Sequence, residues 1–275
     1  MTKPSGPNGI GGKVPPASRQ TAPPLLTLVV PVKDEEENVR PLAAEITAAM
    51  DAAPWSWECI WVDDGSTDRT LEHLRALHSL DPRHKYLSFD RNHGQTSAML
   101  AGFRAASGSL IATLDGDGQN DPADLPGLVR RLLEGEADMV NGVRVKRQDN
   151  WVRKVSSRIA NGFRNWLTRE KVSDVGCSLR VFRKECVRYL PPFEGMHRFL
   201  PTLVGMNGWR LTEVPVRHRP RERGTPKYGV WNRLWRGLLD SLAVRWMQWR
   251  WVRYQVKESS VTGTEEDPPC PPPYG

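Results

Sequence analysis

Hydrophobic positions along the first half of the chain follow two different periods. Short apolar runs rich in β-branched residues predict strands at 24–32, 57–64, 85–90, 110–115 and 137–143. Apolar residues at helical spacing predict helices between them at 36–53, 66–80, 94–107 and 122–135, with Ser66 or Thr67 capping the second helix. Because strands alternate with helices and no strand has one polar face, we expect an α/β fold with a doubly wound, mostly parallel sheet.

The pattern changes in the second half of the chain. Beyond residue 145 the sequence predicts a basic amphipathic helix at 150–170, a strand entering a turn at 178–185, and a strand running into a basic loop at 209–221. Residues 1–24 are rich in Gly and Pro, and residues 258–275 are acidic and then Pro-rich, so both are typical of disordered tails. The first 24 residues lack the apolar run of a signal peptide, and no apolar segment approaches the ~20 residues that span a bilayer.

The net charge of +7 conceals opposite charges on the two halves of the body. Residues 25–139 hold 10 Lys and Arg against 20 Asp and Glu, whereas residues 140–257 hold 26 against 8, for nets of −10 and +18. A basic surface of this size is typical of proteins that bind nucleic acid, phosphorylated ligands or an acidic membrane face, with a solvated charged surface as the simpler alternative. The four cysteines form no CxxC pair, which favours neither a zinc site nor a disulfide framework and makes a reducing, cytoplasmic setting the default.

Acidic residues follow four successive predicted strands. The motifs are PVKDEEE at 31–37, VDDGSTD at 62–68, DRNHG at 90–94 and DGDGQND at 115–121. Ligands of open parallel sheets bind outside the carboxyl ends of the strands. The four acidic strand ends therefore predict a binding site at this edge of the sheet.

The fourth motif crowds carboxylates at the end of an apolar strand. Asp115 and Asp117 can converge on one hard cation, and the amide of Gln119 completes an oxygen-only set that suits Mg²⁺ or Mn²⁺. A helix N-cap is the alternative interpretation, and we adopt it for Asp121, which precedes a proline. A cap does not account for Asp115 and Asp117, which lie too far upstream of that helix.

Seven stretches of the chain together carry a family resemblance. In order from residue 29 to residue 229 they are VVPVKDEEENV, WVDDGSTDRT, RNHGQTSAMLAGFRAASG, TLDGDGQNDP, NGVRVKR, SDVGCSLRVFRKE and RERGTPKYG. In these stretches the chain resembles the family 2 glycosyltransferases, and within them the branch that loads sugars onto polyprenyl phosphate, such as the dolichyl-phosphate mannose synthases. The resemblance implies a GT-A-like glycosyltransferase domain over 25–228.

The resemblance also implies which residues bind the sugar donor. The first strand end would hold the nucleoside through Pro31, Lys33 and Glu35, and the second would meet the base or ribose through Asp64 together with Asp63. Relatives often have Tyr-Asn where this chain has Lys-Asp at 33–34.

The DxD motif would contact the metal and the diphosphate. Its members here are Asp115, Gly116 and Asp117, with Gln119 as a third metal ligand, and relatives often have Ala at position 116. The resemblance further implies phosphate contacts through Arg144, Arg223 and Lys227, where guanidinium groups suit bidentate binding. Arg147 and Arg158 are either neighbours of these cations or surface charges, and Asp174 and Arg180 match a segment near the reacting centre.

The resulting expectation is an inverting displacement at the anomeric carbon of a nucleotide-diphosphate sugar. A polyprenyl phosphate acceptor has a second pKa of roughly 6 and needs no strong base. A saccharide or lipid hydroxyl acceptor, the alternative, would require Asp174 or another carboxylate to remove a proton. A nucleic-acid-binding protein is a remote alternative because it leaves the acidic strand ends unexplained, and the oligomeric state is left open.

The segment 229–257 predicts a Trp/Arg-rich amphipathic helix that includes five of the chain's 11 tryptophans. Its apolar stripe comprises Trp231, Leu234, Trp235, Leu238, Leu239, Leu242, Trp246 and Trp249. Trp and Arg on such a helix suit the lipid headgroup layer, so we expect peripheral attachment at the cytoplasmic membrane face. The alternative is a helix whose stripe packs on the sheet.

Overall fold

Seven strands form one mixed sheet in the computed structural model, which describes residues 25–145, 162, 165–168, 172–220, 230–252 and 258, with no side chains described at 230–236. The strands are β1 (Leu26–Val32), β2 (Trp57–Asp63), β3 (His84–Ser88), β4 (Leu110–Thr113), β5 (Met139–Arg144), β6 (Arg180–Arg183) and β7 (Leu211–Val216). Their order is β3-β2-β1-β4-β6-β5-β7, and only β6 runs antiparallel to its neighbours. The doubly wound, mostly parallel sheet expected from the sequence is confirmed.

Helices cover both faces of this sheet. They are α1 (Glu36–Asp51), α2 (Thr70–Leu80), α3 (Gln95–Ala105), α4 (Leu125–Leu133), α5 (Leu200–Met206) and α6 (Val230–Arg250). Short 3₁₀ turns occupy Pro122–Asp124, Lys184–Val187 and Met196–Phe199. Of the basic helix expected at 150–170, only residues 162 and 165–168 are described, and they are helical.

Alternate residues of the inner strand β1 enter two different hydrophobic clusters. Leu28 and Val30 pack with residues of α1 and α4 on one face, whereas Val29 packs with α3 and α5 on the other. All three are fully buried. Burial on both faces explains why these strands are continuous apolar runs rather than alternating ones.

Gly102 brings α3 close to the sheet. A Cβ at this position would lie 2.3 Å from Cγ1 of Val29, well inside van der Waals contact. The helix can therefore approach β1 only because residue 102 has no side chain. This close approach sets the position of the amino end of α3, which lies beside the carboxyl end of β4.

The predicted cap of α2 is wrong. The helix begins at Thr70, and Arg69 occupies the N-cap position without a side-chain cap bond. The two residues predicted as caps instead contact Asp34: the Ser66 hydroxyl accepts from the Asp34 amide, and the Thr67 amide donates to the Asp34 carboxylate. A contact between distant segments has thus replaced the local cap.

One face of α6 packs on the body of the protein and the other is exposed. Ser241, Val244 and Gln248 are buried, and Gln248 Nε2 donates to the carbonyl of Thr168 at 2.8 Å. The opposite face leaves a stripe exposed, consisting of Leu239, Leu242, Trp246 and Trp249. The packing alternative is therefore wrong for these four residues, because a different face of the helix contacts the body. In the described part of the chain, no helix is both long and apolar enough to cross a membrane.

Candidate active site

The DxD turn, residues 115–121, follows β4 and lies against the carboxyl end of the neighbouring strand β1. The Leu114 amide donates to the Val29 carbonyl at 3.4 Å, which continues the β1–β4 ladder. At Gly116 a Cβ would lie 2.5 Å from Cγ1 of Val32 and 3.0 Å from the Pro31 carbonyl oxygen. The glycine therefore lets the turn approach β1 closely, and it places Asp115 beside the first predicted donor-binding strand end.

Asp115 is partly buried and has neighbours of both charges. Removal from water raises its pKa, and the charge of Asp117 raises it further; a hydrogen bond from Ser178 and the charges of Arg180 and Arg144 act in the opposite direction. Gln95, the first residue of α3, also donates from Nε2 to Asp115 Oδ1 at 2.9 Å. A divalent cation bound between the two carboxylates would relieve the repulsion that Asp115 experiences from Asp117.

The residues present fit a hard divalent cation that shares its coordination with a ligand. Mg²⁺ and similar cations are commonly held by one or two carboxylates together with substrate phosphates, and Asp115 and Asp117 supply two. Among the described residues no group of three or more His, Cys, Asp or Glu is arranged to hold a metal. Gln119, the predicted third ligand, extends its amide toward the Arg219 carbonyl at 3.5 Å.

Asp121 caps the following 3₁₀ turn as expected. Its carboxylate accepts from the Ala123 amide at 3.0 Å, and Pro122 follows it. It also pairs with two arginines that the sequence analysis did not single out, Arg217 at 3.0 Å and Arg219 at 2.9 Å. These two pairs fix the downstream end of the DxD turn.

Arg217 and Arg219 follow β7 and join three parts of the molecule. Arg219 reaches Glu45 of α1 at 2.8 Å, and its amide donates to the Gln119 carbonyl at 2.9 Å. Arg217 pairs with Asp124, the last residue of the 3₁₀ turn, at 2.9 Å. The two arginines alternate along the sequence at the end of a predicted strand, which was the one indication of their role. Their acidic partners lie about 100 residues or more upstream, so the ion pairs could not be predicted.

The predicted nucleoside residues after β1 form a tight turn. Lys33 Nζ donates to the Gly65 carbonyl at 3.2 Å and lies 3.3 Å from the Asp34 carboxylate. Asp34 has a φ of 45°, an unusual backbone conformation for a residue other than glycine. Glu35 is buried, its amide donates to the Thr70 hydroxyl at 2.8 Å, and its carboxylate accepts from a nearby asparagine.

Asp63 and Asp64 are buried and bonded to neighbouring loops. Asp63 accepts from the Ser66 amide at 3.0 Å and from the Ser88 hydroxyl at 2.9 Å. Asp64 accepts from the amides of His93 and Gly94 at 2.6 and 2.9 Å, immediately before α3. Both therefore hold loops at the carboxyl edge, and Asp64 links β2 to the helix that begins with the Asp115 partner.

Arg144 and Asp174, predicted separately, form one buried ion pair. Arg144 Nε donates to Asp174 Oδ2 at 2.7 Å and Nη2 to Oδ1 at 2.8 Å, with side-chain exposures of 14% and 8%. Burial acts against the charge on Arg144, but the bonds to Asp174 and its negative charge outweigh it and raise the pKa of the guanidinium. Arg144 also interacts electrostatically with Asp115, which joins this pair to the DxD carboxylates.

Arg180 lies deeper, on β6 opposite Thr113 of β4. It is 2% exposed, and its guanidinium donates to Asn141 Oδ1 at 2.9 Å and to the carbonyls of Val175 and His197 at 2.7 and 3.0 Å. It supports the floor of the site. Four predicted cations, Arg147, Arg158, Arg223 and Lys227, lie outside the described residues.

Sequence comparisons identify relatives along most of the chain. Residues 27–190 match Glycosyl transferase family 2. A dodecaprenyl-phosphate galacturonate synthase from Rhizobium johnstonii is 40% identical over 243 residues, covering 87% of this chain and 70% of that protein. An undecaprenyl-phosphate 4-deoxy-4-formamido-L-arabinose transferase from Edwardsiella ictaluri is 37% identical over 207 residues, covering 75% and 63%. The chain thus spans 63–70% of the length of these curated relatives.

Solved structures share the fold at lower sequence identity. Glucosyl-3-phosphoglycerate synthase from Mycobacterium tuberculosis, in complex with Mn²⁺, UDP-glucose and phosphoglyceric acid, aligns with a TM-score of 0.61 at 21% identity over 82% of this chain and 79% of that one. A mannosyltransferase from Pyrobaculum calidifontis, in complex with GDP-Man and Mn²⁺, aligns with a TM-score of 0.55 at 20% identity over 85% and 66%. At these identities the likeness establishes the architecture of the sheet and its helices.

Proposed function

The chain belongs to glycosyl transferase family 2 and has its GT-A-like fold, and we propose that it transfers a sugar from a nucleotide-diphosphate donor to a polyprenyl phosphate with inversion at the anomeric carbon. The observation that carries this proposal is one cluster at the carboxyl edge of the sheet. There Asp115 interacts with its DxD partner Asp117 and with Arg144, the guanidinium paired with Asp174. The names of the two polyprenyl-phosphate transferases among the relatives support the choice of acceptor.

The donor side of the reaction belongs to the DxD turn. Asp115 and Asp117 would hold Mg²⁺ or Mn²⁺, and the bound cation would supply positive charge that stabilises the departing nucleoside diphosphate. Gln95 and Ser178 hold the Asp115 carboxylate through hydrogen bonds. Pro31, Lys33 and Glu35, together with Asp63 and Asp64, are the proposed nucleoside-binding residues because they line the adjoining strand ends.

The acceptor side requires little proton chemistry. With a second pKa of roughly 6, a phosphate monoester is mostly a dianion at neutral pH and can attack the anomeric carbon directly. One of its oxygens forms the new C–O bond while the bond to the nucleoside diphosphate breaks. Arg144 is placed to bind the incoming phosphate, and Arg223 and Lys227 remain proposed contacts from the sequence.

Attachment to the membrane surface through α6 is part of the proposal. Its exposed stripe presents Trp246 and Trp249, 62% and 81% exposed, with Leu239 and Leu242. Arg250, on the last turn, is exposed as well. Indole rings and apolar side chains can enter the headgroup layer while arginine meets lipid phosphate, which would place the site at the cytoplasmic membrane face where a polyprenyl phosphate lies.

Incubation of the purified protein with radiolabelled nucleotide sugars, Mn²⁺ and undecaprenyl phosphate tests the reaction. We expect label in the organic phase, and mass spectrometry of that lipid identifies the sugar. Asp117→Ala should abolish metal-dependent transfer while the protein remains folded. Label that enters only a saccharide or another lipid hydroxyl would contradict the phosphate acceptor.

A flotation assay with vesicles tests the membrane surface. Replacement of Trp246 and Trp249 by Ala should reduce binding to vesicles that contain anionic phospholipid. Replacement of Leu80 and Leu133 by Ala is the matched control, because these exposed apolar side chains lie on other helices. Equal binding by both double variants would show that α6 is not the attachment surface.

A further inference from the structure

Three hydrogen bonds and one glycine hold Arg144 in a fixed position. Besides the two guanidinium bonds, the Arg144 amide donates to Asp174 Oδ2 at 3.2 Å. At Gly176 a Cβ would lie 2.8 Å from Arg144 Nη2 and 3.6 Å from Asp174 Oδ1. Any side chain at residue 176 would therefore push against the guanidinium, and the absence of one makes room for it.

The segment 174–177, which contains both Asp174 and Gly176, is itself bonded to the sheet. The Asp174 carbonyl accepts from Asn141 Nδ2 at 3.2 Å, and the other end of that amide, Oδ1, accepts from Arg180 at 2.9 Å. The Cys177 amide donates back to the Asp174 carbonyl at 3.4 Å. Asn141 lies in β5 and is fully buried, so the segment 174–177 is bonded to the strand that ends with Arg144.

We infer that Asp174 and Gly176 position Arg144 for recognition of the acceptor phosphate, and that Asp174 is a positioning residue rather than the base of the reaction. This inference rests on the proposed phosphate acceptor. Two of the five guanidinium N–H groups bond to Asp174, and among the described residues the other three remain available to an anionic ligand. Planar, bidentate arginine is well suited to phosphate when its orientation is fixed.

The geometry also argues against proton abstraction by Asp174. Both of its carboxylate oxygens accept from the guanidinium, and the side chain is 8% exposed. A proton taken from an acceptor would neutralise Asp174 and leave the largely buried Arg144 without its counter-ion. A phosphate dianion does not require that proton transfer.

Steady-state kinetics with farnesyl phosphate as a short acceptor separate the two roles. Asp174→Asn and Gly176→Ala should each raise the acceptor KM by ~10- to 100-fold, the loss expected when hydrogen bonds to a charged group are misplaced, with a smaller change in kcat. If Asp174 is the base, Asp174→Asn should instead lower kcat by about 10²- to 10⁴-fold, and Gly176→Ala should have little effect. That second pattern would overturn the inference.

Gly127→Ala is the matched control, because residue 127 lies in α4 and a Cβ there meets nothing within 4 Å. It should leave the acceptor KM unchanged. If Gly176→Ala fails to fold, Arg144→Lys replaces it: the charge is kept and the two-bond pairing is lost, and its effect should not add to that of Asp174→Asn. Additive effects of the two substitutions would contradict the inference.

A measurement without turnover distinguishes this inference from the proposed function. The ¹⁵N resonance of Arg144 Nε–H should be protected from exchange in the wild type and lose that protection in Asp174→Asn. A wild type that shows the protected resonance but transfers no sugar to farnesyl or undecaprenyl phosphate would refute the acceptor, and with it the phosphate role of Arg144. Binding of farnesyl phosphate that is equal in the wild type and Asp174→Asn would refute the positioning role alone.

Discussion

Replacement of Gln95 by leucine should weaken metal binding at the DxD turn. Gln95 is the first residue of α3, and its amide donates to Asp115 Oδ1 at 2.9 Å. Leucine keeps most of the side-chain volume but cannot donate. We therefore expect Asp115 to lose the bond that orients it, with Asp64 still holding the start of the helix through the preceding amides.

The magnitude follows from the hydrogen bond and the exposure of the site. A hydrogen bond to a charged group contributes about 1.5–3 kcal/mol, and loss of a residue that orients a metal ligand typically lowers metal affinity by about 10- to 100-fold. Asp115 is partly accessible to solvent, so water can replace some of the lost bond. We expect an increase of roughly tenfold in the Kd for Mn²⁺, near the lower end of that range.

Electron paramagnetic resonance of free Mn²⁺ measures this Kd directly, with the protein alone and with UDP or GDP present. Ser97→Ala is the matched control because Ser97 lies on the same helix and donates only to the His93 carbonyl, at 2.9 Å. Its Kd should equal that of the wild type. A Gln95→Leu variant that binds Mn²⁺ as tightly as the Ser97→Ala protein would refute the role of Gln95.

Two further predictions concern the supporting structure. Arg219→Gln removes the ion pairs to Asp121 and Glu45, so hydrogen exchange of the backbone amides at 119–121 should accelerate by about tenfold or more. As a control, Arg131→Gln breaks an exposed ion pair with Glu136 and should leave the exchange rates of those amides unchanged. Glu58 is buried and accepts from Thr27, Ser107 and Lys85, and although burial raises its pKa these bonds lower it to about 2. Because the pKa of Glu58 is lower in the folded protein than its unfolded value of 4.5, ionised Glu58 stabilises the fold above pH 4.5, and this stabilisation is lost as the pH falls toward 2. Glu58→Gln should therefore lower the free energy of unfolding by on the order of 2–3 kcal/mol at pH 7, measured by urea unfolding, and should flatten the pH dependence of that free energy below pH 5. An equally steep pH dependence in the variant would show that Glu58 is not its origin.

The sequence was sufficient for the strands and for the edge of the sheet at which their acidic ends lie. Strands β1, β2 and β4 are buried on both faces, so they appear as unbroken apolar runs, and parallel pairing brings their acidic ends to one edge. The location of Asp115 at this edge then follows from its position in the chain, because it comes two residues after the end of β4.

The supporting residues could not be predicted because their partners are distant in sequence. Arg219 contacts Glu45 across 174 positions, and Arg217 contacts Asp124 across 93. The predicted cap of α2 was wrong for a related reason, because the Ser66 hydroxyl accepts from the Asp34 amide instead of from an amide in the first turn of α2. Sequence rules for capping pair a side chain with backbone groups a few residues away, whereas the folded chain can bring a partner from a distant segment.

The exposed stripe of α6 agrees with the preferred prediction, but the face on which the helix packs was not predicted. The sequence indicated one broad apolar stripe, but the buried face centres on Val244, with Ser241 and Gln248 beside it. Two of these three buried residues are polar, so the positions of the apolar residues did not reveal the packing face. The exposed stripe is therefore surplus to folding, which is the condition a docking surface must meet.

The charges of the described site explain why the chain needs its basic second half. Asp115, Asp117 and Asp174 carry three negative charges against the two positive charges of Arg144 and Arg180, and these groups interact with one another. A divalent cation would turn this balance positive, and a donor diphosphate would make it negative again before the acceptor phosphate arrives. Two anionic substrates thus require more positive charge than the described part of the site supplies. The RERGTPKYG motif at 221–229, which includes Arg223 and Lys227, is the proposed source of that charge, because it lies within the half of the body that carries a net charge of +18.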